Sequence, residues 1–202
     1  KRDDNLPARA RVPYSVFPPP GIDPVSQALS SISPDSIRAR MANDTLLDLD
    51  DVLCRYNVIR SNNTLPAAMR ELIILRVLGL NSATYQWLRH EPVARMAGLA
   101  TEQLLVVRLP PPFFFVSQGL NFTTTLGPDL VAATSFTDWI TQNVHVPDDV
   151  SDAPRPFLND LQLVDATTIA AAYNSASRLV VASNVDDQMD VPVPILVKIM
   201  LL

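Results

Sequence analysis

A chain of 202 residues that is 48% apolar and 18% charged is long enough for one sizeable core and has the make-up of an ordinary globular domain. Its net charge of −5, with sixteen Lys and Arg scattered along the sequence, provides no basic surface for nucleic acid or for an anionic membrane. A single cysteine, Cys54, excludes an intrachain disulfide and a dithiol redox couple, and two histidines with one thiol argue against a closed zinc site, so no metal is expected.

Residues 1–22, with "LPARARVPYSVFPPPG", hold prolines that fix φ and remove backbone donors, so they read as an extended arm lying over the body or a neighbouring subunit. The opening "KRDD" has the look of a mature or truncated chain. Three N-x-T sequons, at Asn43, Asn62 and Asn121, would suit a secretory route, which leaves the localisation between that route and the cytoplasm. From residue 23 to 190 the pattern is helical. "DPVSQALSSIS", "SPDSIRARMAN" and "TLLDLDDVLCRYNVIRS" each place apolar residues three and four apart, and the acids at 48–51 read as a solvated face.

The run "LPAAMRELIILRVLGL" starts at Pro66, ends near Gly79 and is apolar around almost its whole circumference, which predicts a buried central helix. Asn81 or Ser82 is the expected cap of "ATYQWLRHEPVARMA", which stops at Gly98, so the two form a tight hairpin before "ATEQLLVVRL". Residues 107–127 break the helical period with three prolines and three consecutive phenylalanines, predicting an aromatic loop packed against the body. Helices are then expected at "DLVAATSFTDWITQN", "DAPRPFLNDLQ" and "LVDATTIAAAYNSASRLVVAS", followed by an apolar tail, 191–202, that covers a core edge or a partner chain. No run of eighteen apolar residues occurs, so no membrane span is expected.

The chemistry concentrates on the hairpin. Glu71 shares its helix face with Ala67, Ile74, Leu75 and Leu78, where a carboxylate loses water and needs either a partner or a proton. On the next helix Ala83, Gln86, Trp87 and His90 fall on one face, which an antiparallel hairpin turns towards Glu71. An imidazole oriented by a carboxylate is a workable general acid or base, and Pro92 should bend the helix beside it. Gln86 and Arg70 or Arg89 are placed to hold substrate oxygens, Tyr85 to add a hydrogen bond and Trp87 to wall a pocket, while Asn174 and Arg178 either reach a cavity or bridge two helices. A buried Glu–His pair is also a common way of joining helices, His145 sits where a solvated histidine is ordinary, and Cys54 reads as a small core residue.

The segment "RELIILRV…ATYQWLRHEPVARMAGL" resembles the carboxymuconolactone decarboxylase family within the alkylhydroperoxidase-D-like superfamily of all-helical proteins. The peroxidase branch of that superfamily carries an acid, cysteines twelve and fifteen residues on, and a histidine at nineteen. Counted from Glu71, those places hold Ala83, Gln86 and His90, so no sulfur is available and thiol peroxidase chemistry is excluded. Many relatives also place Glu between the aromatics of a Tyr-x-Trp motif, where this chain has Gln86, leaving proton transfer to His90 and Glu71. The resemblance implies an all-α, single-domain homo-oligomer, commonly built on dimers or trimers, and no metal or organic cofactor is expected. With no basic cluster visible at the hairpin and an aromatic loop nearby, the expected activity is a lyase or isomerase. Its expected substrate is a small, largely apolar organic intermediate: an enol, a lactone, or a compound of polyketide or terpenoid type. The rival expectation is a member that has lost its chemistry and serves as a ligand-binding or scaffold protein.

Overall fold

The structure, a computed structural model, describes residues 59–113, 123–143 and 145–194, and these are helical with no strand among them. After a helical end at 59–61 come α1 (Ala67–Leu80), α2 (Thr84–Met96), α3 (Thr101–Arg108), α4 (Thr123–Leu126), α5 (Pro128–Gln142), α6 (Asp148–Asp152) and α7 (Asp160–Ala182), with a single 3-10 turn at Val185–Asp187. The all-α expectation is met.

Helix α1 is the axis of the molecule. Leu72, Ile73, Ile74, Leu75, Val77 and Leu78 are fully buried in succession, because α2, α3, α5 and α7 pack around it. A helix apolar on every side has nowhere else to go, and each of these side chains gains about 1.5–3 kcal/mol on leaving water. Pro66 stands at its N-cap, where a missing N–H costs nothing.

The hairpin is set by its turns. Asn81 closes α1 as its C-cap, Ser82 takes a left-handed φ of 54°, and Ala83, which has no capping side chain, starts α2. The expected Asn81 or Ser82 cap is therefore corrected: the turn needs both residues to leave α1. Helix α2 runs through Pro92 to Met96 and ends at Gly98, whose φ of 99° lets the Leu99 N–H reach back to the Ala94 carbonyl at 3.0 Å.

Two further expectations shift. "DAPRPFLNDLQ" is not one helix: α6 stops at Asp152, turns follow through Pro154 and Pro156, and Asn159 opens α7 with a capping box in which its side chain accepts from the Gln162 N–H at 3.0 Å. The 107–127 stretch is helical at both margins, as α3 reaches Arg108 and α4 begins at Thr123. At the end of the described residues Val193 is buried, its carbonyl accepts from Arg108 at 2.8 Å, and the Val191 carbonyl accepts from Thr84. The proline-rich arm, Cys54, Asn43, Asn121 and the acids at 48–51 fall outside the described residues. Among the described residues no helix is long and apolar enough to cross a membrane, and no group of three or more His, Cys, Asp or Glu is gathered as metal ligands.

Candidate acid–base site

Glu71 occurs one turn into α1, where the apolar periodicity buries every position, so its carboxylate has no exposure. The hairpin brings α2 alongside, and His90 Nδ1 lies 3.0 Å from Glu71 Oε2. An ionised carboxylate only accepts, so Nδ1 carries the proton and, in the neutral ring, Nε2 carries the lone pair. No hydrogen bond occupies Nε2 among the described residues, and the imidazole keeps about 10% of its surface exposed. It is held at one nitrogen and open at the other.

Electrostatics favour that state. Burial pushes the His90 pKa below its ordinary 6.5, against the pull of Glu71, so the ring is neutral near neutrality. For Glu71, burial pushes upwards, but His90, Arg60 and Arg70 together outweigh it and hold the carboxyl below its usual range. Two guanidinium groups flank the acid, with Arg60 Nε at 3.5 Å and Arg70 Nε at 3.4 Å from Oε1. Their terminal nitrogens have no partner among the described residues. The expectation that no basic cluster attends the hairpin is thus corrected: Arg60 arrives from the segment ahead of α1, eleven residues upstream, where no helical periodicity links it to Glu71. The site carries more positive than negative charge.

Opposite the hairpin, α7 contributes Tyr173, whose ring meets that of His90 edge to face with centroids 5.0 Å apart and planes at 89°. The sequence reading missed it. Its signal was there: in "IAAAYNSAS" one bulky ring stands among small residues, which let α7 approach closely while the ring fills the gap.

The other expected residues divide. Gln86 lies one turn before His90, is 8% exposed, and leaves its buried Oε1 without a hydrogen-bond partner. Trp87 is fully buried and donates through Nε1 to Glu91 Oε2 at 2.9 Å; Arg95 grips the other oxygen of Glu91 at 2.7 Å, which ties the indole into a buried polar chain on α2. Tyr85 lies under the Arg89 guanidinium, 3.6 Å from its ring centroid, and Arg89 also pairs with Asp186 at 3.7 Å. Asn174 bridges helices: its Oδ1 accepts from Asn81 at 3.0 Å and from Arg178 at 2.9 Å, and its Nδ2 donates to Thr141 at 3.1 Å. His145 is exposed.

The described residues thus join a carboxylate and an imidazole across one helical hairpin, with guanidinium groups beside them. The sequence profile described as the carboxymuconolactone decarboxylase family matches residues 52–110, the segment that carries α1, α2, α3, Arg60, Glu71 and His90. Over that segment the chain is similar to this family, which includes decarboxylases and peroxidase-like proteins. No curated protein matches the sequence.

Proposed function

We propose that this protein is a lyase or isomerase that moves a proton on a small organic anion, with His90 as the acid–base and Glu71 as its orienting partner. The observation that carries the reading is the asymmetry of the imidazole: Nδ1 is engaged by Glu71 at 3.0 Å while Nε2 has no partner among the described residues and the ring keeps some exposure. A neutral histidine so held takes a proton from carbon or returns one to an enolate. The free ends of Arg60 and Arg70 suit a carboxylate, which binds such forks through two parallel hydrogen bonds. Gln86, with its unpartnered carboxamide oxygen, is a further contact for a polar group on the substrate. Isomerisation, dehydration, ring closure and decarboxylation all pass through this proton movement.

Comparative metabolite profiling of a strain lacking the protein tests the proposal, because the accumulated compound is the substrate. The purified chain should convert that compound, and His90→Gln, which keeps an amide donor near Glu71, should not. Equal turnover by the variant ends the acid–base role. A His90→Gln protein that cannot fold makes the pair a structural joint instead.

A further inference from the structure

Arg60 stands 3.5 Å from Glu71 Oε1, although that oxygen already has a cation, Arg70, at 3.4 Å. Neutralising the carboxylate needs only one of them. A guanidinium that braces a fold commonly sets its fork of nitrogens on a carboxylate, whereas Arg60 meets Glu71 through Nε. Its backbone is nonetheless firmly held. Asn63 closes the helical end at 59–61: its Nδ2 donates to the carbonyls of Ile59, at 3.1 Å, and Arg60, while its Oδ1 accepts from the Leu65 N–H at 3.1 Å. Thr64 is then clasped to α7, where its N–H and hydroxyl both donate to Asp165 Oδ2 at 2.7 Å and its carbonyl accepts from Gln162 at 3.0 Å. The segment that delivers Arg60 to the pair is thereby fixed to the helix opposite the hairpin.

Glu71 by itself works against the imidazole as a base. A carboxylate 3.0 Å from Nδ1 favours the imidazolium, in which Nε2 carries a proton and has no lone pair to offer. The groups around the ring are Glu71 and Arg70 from α1, Arg60 from the segment ahead of it, and Tyr173 from α7, whose phenol burial keeps protonated. Burial opposes the proton that Glu71 would draw onto the ring, and the two guanidinium charges oppose it further.

We infer that Arg60 is a positioning residue: its guanidinium engages Glu71 Oε1 so that Oε2 turns to His90 Nδ1, and its charge keeps the ring neutral with the lone pair on Nε2. The bearing of this on turnover rests on the acid–base reading given above; the arrangement itself belongs to the free chain.

Ring-nitrogen NMR of the full chain tests it without a ligand, since the sequence has only two histidines and the exposed His145 provides a reference. In wild type the neutral His90 ring should carry its proton on Nδ1. Arg60→Gln should raise the midpoint of the His90 titration by about 0.5–1 pH unit, because a repelling cation is gone, and Arg60→Lys should return most of that shift. His145 should not move. An unchanged His90 midpoint in Arg60→Gln overturns the inference, as does a neutral wild-type ring protonated on Nε2. The melting temperature of Arg60→Gln should fall by less than about 4 °C, as suits a partly exposed ion pair. A larger fall with an equal shift at His145 means that the fold rather than the local charge has changed, and overturns it too. Failure of the proposed function is read separately: undiminished turnover by His90→Gln removes the acid–base role and leaves the wild-type and Arg60 titrations as they are.

Discussion

Five residues apart on α1, two buried charged pairs follow opposite rules. Arg76 is saturated: its five N–H groups go to both oxygens of Asp138, with Nη2 to Oδ2 at 2.9 Å, and to the carbonyls of Val107 at 2.9 Å, Pro110 at 2.8 Å and Pro111 at 3.1 Å. Asp138 also accepts from the Phe113 N–H at 2.9 Å. The Glu71–His90 pair is also largely buried but leaves an imidazole nitrogen and two guanidinium ends without a partner among the described residues. Burial alone therefore does not distinguish the two pairs; what does is whether the hydrogen-bonding capacity is used up.

Substitutions should widen that contrast. Asp138→Ala, which strands the buried Arg76 charge, is expected to cost about 3–5 kcal/mol in urea unfolding without acting on the chemistry directly, whereas a double change to Met and Leu should recover much of the loss. His90→Gln should do the reverse, lowering turnover by about two to four orders of magnitude while the urea midpoint moves little. Asn174→Ala removes the bridge to Asn81, Thr141 and Arg178, which should destabilise the chain by about 1–2 kcal/mol and leave the pH profile of turnover in place.

Acid should tell the pairs apart as well. The His90 pKa in the fold is below 6.5, so as the pH falls through that value the unfolded chain gains a proton that the folded one refuses, and stability declines. Glu71, lowered from 4.5, extends the decline further into acid. Urea midpoints across this range should show both phases in wild type, with the first absent in His90→Gln, and turnover should fall with a midpoint below 6.5. The smallest change expected is a gain: Gln86→Leu removes an unpartnered buried oxygen and should raise stability by about 1 kcal/mol while weakening substrate binding.

Much of the fold was legible because α1, α2, α3, α5 and α7 each carry a sustained apolar period, and the hairpin that joins Glu71 to His90 follows from the spacing and the short turn. The pair itself was read from the physical demand of a carboxylate in an apolar run. What the sequence concealed lies in contacts between distant segments. Arg60 and Tyr173 reach the pair from opposite ends of the described chain, and the Arg76–Asp138 lock spans 62 residues, so no local pattern records any of them. Propensity also overstated helix around Pro154 and Pro156, where the missing N–H groups favour turns and hand the helix start to Asn159.

The grip of Arg76 on the carbonyls at the end of α3 has an evolutionary corollary. Because backbone oxygens rather than side chains are held, the residues at 107, 110 and 111 can change identity without loosening the lock, and the chain leaves Phe113 from a fixed point on the body. Substitution at those positions would then leave the imidazole of His90 and the carboxylate of Glu71 where they stand, since neither takes part in the lock.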